Sequence, residues 1–303
     1  MQNKLFLFGI IAVAVLGGIL LLSRSGSDAG SNSSANNLYP EQSISHGHGL
    51  TVDIADPNKL YIATHHGLLV LMNEKDLYRV GTSKDDYMGF SLHPSEANIF
   101  FSSGHPARGG NLGVQKSEDG GLTWEKISNG VNGPVDFHEM AISPINPQLM
   151  YGYFEGTLQR SIDGGNAWEI VETTNLPQPI GFIFDPKDEK KLYALTIYGT
   201  SLSTDQGETW ENVFPELYQG ITTTFAINPS DPLKMIGFSR KKGILVTEDG
   251  GSIWRSIVIE SFSTDFPIYI TYAPRDPMVV YALTKENKLY TSSDAGNTWT
   301  QIY

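Results

Sequence analysis

The chain has 303 residues, 40% of them hydrophobic and 18% charged, with 33 acidic against 21 basic side chains and a formal net charge of −12. An acidic surface repels phosphate backbones, which excludes nucleic acid as a partner. With no cysteine in the chain, disulfides, thiolate metal sites, a cysteine nucleophile and a lipidated cysteine are excluded as well.

The first element is Leu5 to Leu22, 18 uninterrupted apolar or glycine residues between Lys4 and Ser23-Arg24. A helix of that length spans roughly 27 Å, enough to cross a bilayer core. Residues 1–22 therefore read as an uncleaved membrane anchor or, alternatively, a secretory signal whose best cleavage site is Ser27-Asp28-Ala29. Either reading exports the remainder of the chain, so the expected location is the extracytoplasmic side of the membrane, or secretion after cleavage. Residues 23–37 are nearly all Ser, Gly, Asn, Ala and Asp. They cannot bury apolar surface and read as a flexible tether.

From residue 38 onward, 14 Tyr, 14 Phe and 31 Gly in the chain point to short strands and tight turns. One octapeptide recurs five times with Asp119, Asp163, Asp205, Asp249 and Asp294 at its third position. Its first copy reads Ser117-Glu-Asp119-Gly-Gly121-Leu-Thr-Trp124, and its last Ser292-Ser-Asp294-Ala-Gly296-Asn-Thr-Trp299. A strand-rich period in the forties is the signature of a propeller blade. In each copy the Asp is expected to close a turn by accepting amide hydrogens two or three residues on. The Gly supplies a conformation closed to other residues, and the Trp plugs the gap between neighbouring sheets. Upstream of each copy an apolar strand, a Pro turn and a second apolar strand recur, as in Met140-Ala-Ile-Ser-Pro144 to Tyr151. Six such units begin near residues 46, 86, 136, 178, 221 and 265. The first lacks the octapeptide, and Leu68 to Val80 would form its outer strands. The expected fold is an all-β propeller of six four-stranded antiparallel blades over residues 38–303, or seven if residues 38–45 complete another sheet.

The octapeptide resembles the Asp-box (BNR) repeat, Ser/Thr-x-Asp-x-Gly-x-x-Trp, and the resemblance covers residues 45–303. That repeat marks sialidases, other glycoside hydrolases, sortilin-type receptors and photosystem assembly factors. The resemblance implies the fold; in those families the box is structural and lies away from the site. The His-Gly-His-Gly and Thr-His-His-Gly segments are also similar to a group of bacterial proteins labelled glycosylhydrolases.

All seven histidines fall between residues 46 and 138, although the repeat runs to the end of the chain. Aligned on the Pro turn, His46 corresponds to Asp86, Asp136, Gln178, Ile221 and Phe266 in later blades. His48 corresponds to Met88, His138, Ile180, Thr223 and Ile268, and His65 to His105, Glu155, Ile197, Arg240 and Lys285. The start of each inner strand and the end of the second strand share one face, with 46 and 48 on one side of their strand by two-residue alternation. The Pro turn and Asp box lie on the opposite face. His46, His48, His65, Met88, His105 and His138 thereby converge with Asp86, Asp136 and Glu155 at one mouth of the channel. Imidazole, carboxylate and thioether donors in a concave site suit a divalent transition metal, copper or zinc, with Met88 favouring copper. His48, His65, His105 and His138 form the expected inner shell, with Glu155 and the two Asp residues as ligands or supports. The competing reading is a solvated polar rim. His66 is expected to point away and His93 to serve a Pro turn, and His138-Glu139 lies on a strand rather than a metalloprotease helix.

Two functions follow. The first is a tethered binding or assembly module that holds a metal, a protein or a carbohydrate at the mouth. The second is a glycoside hydrolase with a carboxyl pair drawn from Asp86, Asp136 and Glu155. The three-arginine carboxylate grip of sialidases is not visible among the seven arginines.

Overall fold

The structure, a computed structural model, describes residues 37–214, 217 and 222–303. The expected anchor, nearly all of the expected tether and the position of Ile221 lie outside the described residues. Among the described residues no helix is long and apolar enough to cross a membrane.

Six antiparallel sheets follow one another along the chain, five of them with their strands side by side in chain order and the first with one added strand at its outer edge. Their inner strands are Gly47–Val52, Asp86–Leu92, Glu139–Ile142, Pro179–Phe184, Thr222–Ile227 and Pro267–Tyr272. These define blades 1 to 6, and each inner strand neighbours those of adjacent blades, with that of blade 1 against that of blade 6. Blade 1 has a fifth strand, Leu38–Pro40, which pairs with the outer strand Asp76–Val80 through Leu38 and Val80. This corrects the seven-blade alternative: the segment is too short to found a sheet and covers an exposed edge instead.

A separate apolar core fills each of the six blade interfaces. Second strands are sandwiched on both faces, so Leu192–Thr196 and Val280–Thr284 are buried throughout. Trp124, Trp168, Trp210, Trp254 and Trp299 enter the interfaces that blades 2 to 6 make with the preceding blade. The interface between blades 6 and 1 has no such Trp, and the C-terminal Ile302 and Tyr303 pack there. Tyr281 Oη also donates to Glu74 at 3.1 Å, and Gly47 N to Asn287 Oδ1 at 3.1 Å. Side chains close the ring, because the outer strand of blade 6 comes from its own blade.

The Asp boxes occupy the turns before the outer strands of blades 2 to 6. Asp119 Oδ1 accepts the amide of Thr123 at 2.9 Å, and Asp205, Asp249 and Asp294 make the same bond to residues 209, 253 and 298. Asp163 does so with Ala167 at 2.9 Å. The Asp thus reaches four residues forward, further than the two or three expected. The box Ser or Thr accepts the Gly amide, as Ser117 does from Gly121 at 2.8 Å. Gly251 shows why glycine is required: its φ is +90°, and a Cβ would stand 2.2 Å from the Phe214 ring of the preceding blade. The box rests on the Pro turn, with Gly120 N donating to Asn98 O at 2.9 Å. Box and Pro turn therefore share one face, opposite the mouth.

Candidate functional site

At the mouth the inner strands do not keep regular alternation. In blades 1, 4, 5 and 6 the pairing skips one residue, and the skipped residues are His48, Ile180, Thr223 and Ile268. These are four of the six positions that align with one another in sequence, the others being Met88 and His138. A bulge leaves its extra residue out of the ladder and re-aims it, and His48, Ile180 and Ile268 line one axial cavity of about 530 Å³.

The polar half of the mouth is built by one step repeated twice. The His at the end of a second strand reaches the Asp that opens the inner strand of the next blade. His65 of blade 1 hydrogen-bonds through Nδ1 to Asp86 Oδ2 of blade 2. His105 of blade 2 meets Asp136 Oδ2 of blade 3 through Nε2 at 2.7 Å. Each Asp takes a further imidazole. His138 Nε2 lies 2.7 Å from Asp136 Oδ2, and His48 Nε2 stands 3.8 Å from Asp86 Oδ1. His46 joins the first group, its ring centroid 4.5 Å from that of His65 and 5.3 Å from that of His48. Its φ of +51° is unusual for a residue with a side chain.

Histidine, aspartate and glutamate donor atoms thus fall into two sets, His46/His48/His65 and His105/Asp136/His138, with atoms within 4.8 Å of one another in each. The sequence suggested one shell of four histidines. The fold divides them, because His65 and His105 each reach an Asp of the next blade, His65 while still lining the axial cavity. Met88 is buried and lines the axial cavity with His48, His65 and His138. Glu155 is exposed in the turn after its second strand and lines an adjoining pocket of about 330 Å³ with Asp136, His138 and Gln178. His66 is exposed and belongs to neither set. His93 lies on the opposite face, where its Nδ1 accepts the amides of Ser95 and Glu96 at 3.3 and 3.1 Å and caps the Pro turn.

The electrostatics differ from residue to residue. Burial, reinforced by His65, lowers the His48 pKa to about 4 against the pull of Asp86, so the imidazole is neutral with a free lone pair. The hydrogen bond to Asp136 raises the pKa of His138. Burial raises Glu139 to about 7, despite the opposing pull of His138. Glu139 was passed over in the sequence as an ordinary strand residue. It lines both the axial cavity and the adjoining pocket, and the signal that could have found it is its register opposite Tyr153 at an inner-strand start. Three polar atoms at this mouth, His48 Nε2, Asp86 Oδ1 and Asp136 Oδ1, are buried without a hydrogen-bond partner. Such atoms cost roughly 1–3 kcal/mol each when left unmatched.

In the other half the same frame carries different chemistry. The Arg240 guanidinium lies 4.6 Å from the centroid of the Phe266 ring, again a second-strand end meeting the next blade's start. Ile180, Ile197 and Tyr198 are 40%, 56% and 59% exposed.

Residues 198–303 match the family model Sortilin-Vps10 (sortilin, neurotensin receptor 3). Over 128 residues the chain is 31% identical to vacuolar protein sorting/targeting protein 10 of Aspergillus terreus, which covers 41% of this chain and 8% of that protein. In fold it is similar to the crystal structure of the GH74 enzyme of Niastella koreensis, with a TM-score of 0.56 and 17% identity over 84% of this chain and 46% of that one. It is equally similar to the structure of YCF48 bound to D1 peptide, with a TM-score of 0.56 and 16% identity over 88% of this chain and 85% of that one. At such identities the solved structures speak for architecture alone, and the chain spans less than half of the GH74 enzyme. The described residues form a six-bladed β-propeller with five Asp-box turns, and residues 198–303, from the outer half of blade 4 onward, are similar to the Sortilin-Vps10 family.

Proposed function

We propose that this chain is a membrane-tethered, extracytoplasmic binding module whose mouth holds a divalent transition metal, copper or zinc. The observation that carries this reading is the coincidence of a three-imidazole set and an imidazole–carboxylate set with buried, unpartnered oxygens on the neighbouring Asp86 and on Asp136. A cation would satisfy those atoms and offset their desolvation. The apolar run of residues 5–22 supports tethering and export. A protein segment is the favoured partner class, in keeping with the sortilin-like repeats and with the peptide held by the YCF48 neighbour.

The test is metal analysis of the full chain, purified in detergent without a histidine tag and reconstituted with Cu²⁺ or Zn²⁺. Tight binding of at least one equivalent is expected, with a drop of about 100-fold or more in affinity when His48→Ala and His138→Ala are combined. Less than a tenth of an equivalent in the unsubstituted chain refutes the reading.

One observation favours the alternative of glycoside hydrolysis: Glu139 holds its proton to about 7 beside the Asp136 carboxylate, as a general acid would. Hydrolysis of any member of a glycoside panel, abolished by Glu139→Gln, would establish it.

A further inference from the structure

The two sets differ in how completely they surround a cation. The first offers three imidazoles, His46, His48 and His65, with Asp86 beside them. His65 is oriented by its Nδ1–H bond to Asp86, which leaves Nε2 as the donor atom, a common arrangement behind metal-binding histidines. The 3.8 Å between His48 Nε2 and Asp86 Oδ1 is too long for a hydrogen bond, yet neither atom has another partner. Two atoms bonded to one zinc-sized ion at about 2.0–2.1 Å stand roughly 3.3–4 Å apart.

The second set offers His105, His138 and Asp136. His105 Nδ1–H donates to Gly110 O at 2.8 Å, which again leaves Nε2 as the donor atom. That nitrogen faces Asp136 Oδ2 at 2.7 Å. That is closer than two ligands of one ion stand, so a metal bound there would spread the pair to roughly 3.3–4 Å. Asp136 is only 6% exposed and its other oxygen has no partner. Three protein donors leave a coordination position, and the pocket lined by Asp136, His138, Glu139 and Glu155 opens beside it.

The sets are neighbours. Asp86 of the first and His105 of the second are direct cross-strand partners in blade 2, and His48, His65 and His138 line one cavity.

Building on the metal-holding reading above, we propose that the mouth takes two transition-metal ions side by side. One is enclosed by His46, His48, His65 and Asp86. The other is held by His105, Asp136 and His138 with a position open to an exogenous anionic or neutral donor. The enclosed ion is structural, and the open ion is where a ligand binds.

The experiment titrates the metal-free full chain with Co²⁺, followed by visible absorption, and then adds azide. Two equivalents are expected, with azide altering the bands of one alone. His65→Gln should remove one equivalent, at least a 100-fold loss of affinity, and leave the azide response. His105→Gln should remove the azide-responsive equivalent and leave the other. Circular dichroism confirms that each variant is folded, and Asp136→Asn repeats the second arm if His105→Gln is not. A single equivalent in the unsubstituted chain, or both equivalents lost in either variant, overturns the two-ion proposal and leaves the metal-holding reading standing. Two equivalents that both respond to azide overturn the division into enclosed and open sites. No bound cobalt in the unsubstituted chain, with none for zinc or copper, overturns both readings.

Discussion

At the bulge that opens the inner strands of blades 1, 4, 5 and 6, blade 1 carries His48 whereas blades 4 and 6 carry Ile180 and Ile268. Where a second strand ends against the next blade, blades 1 and 2 place His65 and His105 on carboxylates, and blade 5 lays Arg240 on Phe266. Both halves share the four-stranded blade, and the chemistry at the mouth is opposite. The frame is fixed by box, Pro turn and interface core on the far side of each blade, so residues at the mouth are released from packing duty. Their side chains are freer to vary than those of the interface cores, and three successive blades concentrate donors while three others present apolar and cationic surface.

The sharpest way to break this comparison is at the residue before each second-strand end. In blade 2 it is Gly104, with φ +113° and an added Cβ only 2.1 Å from Asp86 O. Gly104→Ala should cost about 3 kcal/mol or more in urea unfolding, from positive-φ strain together with overpacking. Ser239, its counterpart in blade 5, has a buried hydroxyl with no partner. Ser239→Ala should be neutral or stabilising by up to about 1 kcal/mol. A similar cost at both sites would mean the halves do not differ in how tightly the mouth is built.

A second contrast is proton linkage in metal-free protein. The His48 pKa falls from 6.5 to about 4 on folding, so the unfolded chain binds more protons between those values. Its contribution to stability is lost as pH drops through that window, by about 3 kcal/mol. The Glu139 pKa rises from 4.5 to about 7, so the folded chain binds more protons there. Its contribution grows by about 3 kcal/mol over the same descent. The two trends offset in the unsubstituted chain. His48→Ile, which installs the residue of blade 4, should make the propeller gain stability on acidification from pH 7 to 4.5, and Glu139→Gln should make it lose stability. Parallel pH profiles for both variants would show that neither shift is real.

The smallest effect is expected in the other half. Arg240→Ala removes an exposed cation–π contact and should cost roughly 0.5–1 kcal/mol, with metal affinity unchanged. A tenfold drop in metal affinity would mean the two halves act as one site.

The fold was legible because its determinants are local and repeated. The Ser/Thr, Asp and Gly of each box bond within eight residues, as do four of the five Trp side chains, and Pro turns mark where each inner strand ends. Blade boundaries and the two faces therefore follow from spacing. The box's reach to the fourth residue was not legible, since it depends on the turn the Gly backbone adopts. Nor was the fate of Leu38–Pro40, because pairing at a sheet edge is decided by where the ring brings the chain.

The sequence by itself determined the repeat, the boundaries of its units and the crowding of histidines into three of them, because these depend on order along the chain; whether the blades number six or seven was settled by where residues 38–40 pair. Only the tertiary structure decided which imidazole meets which carboxylate. That grouping arises between blades, from bulges that turn His48 into the channel and from second-strand ends that lean across the interface, and neither is encoded in spacing. Glu139 belongs to the same class: its burial beside Tyr153 and His138 exists only once six sheets stand around one axis.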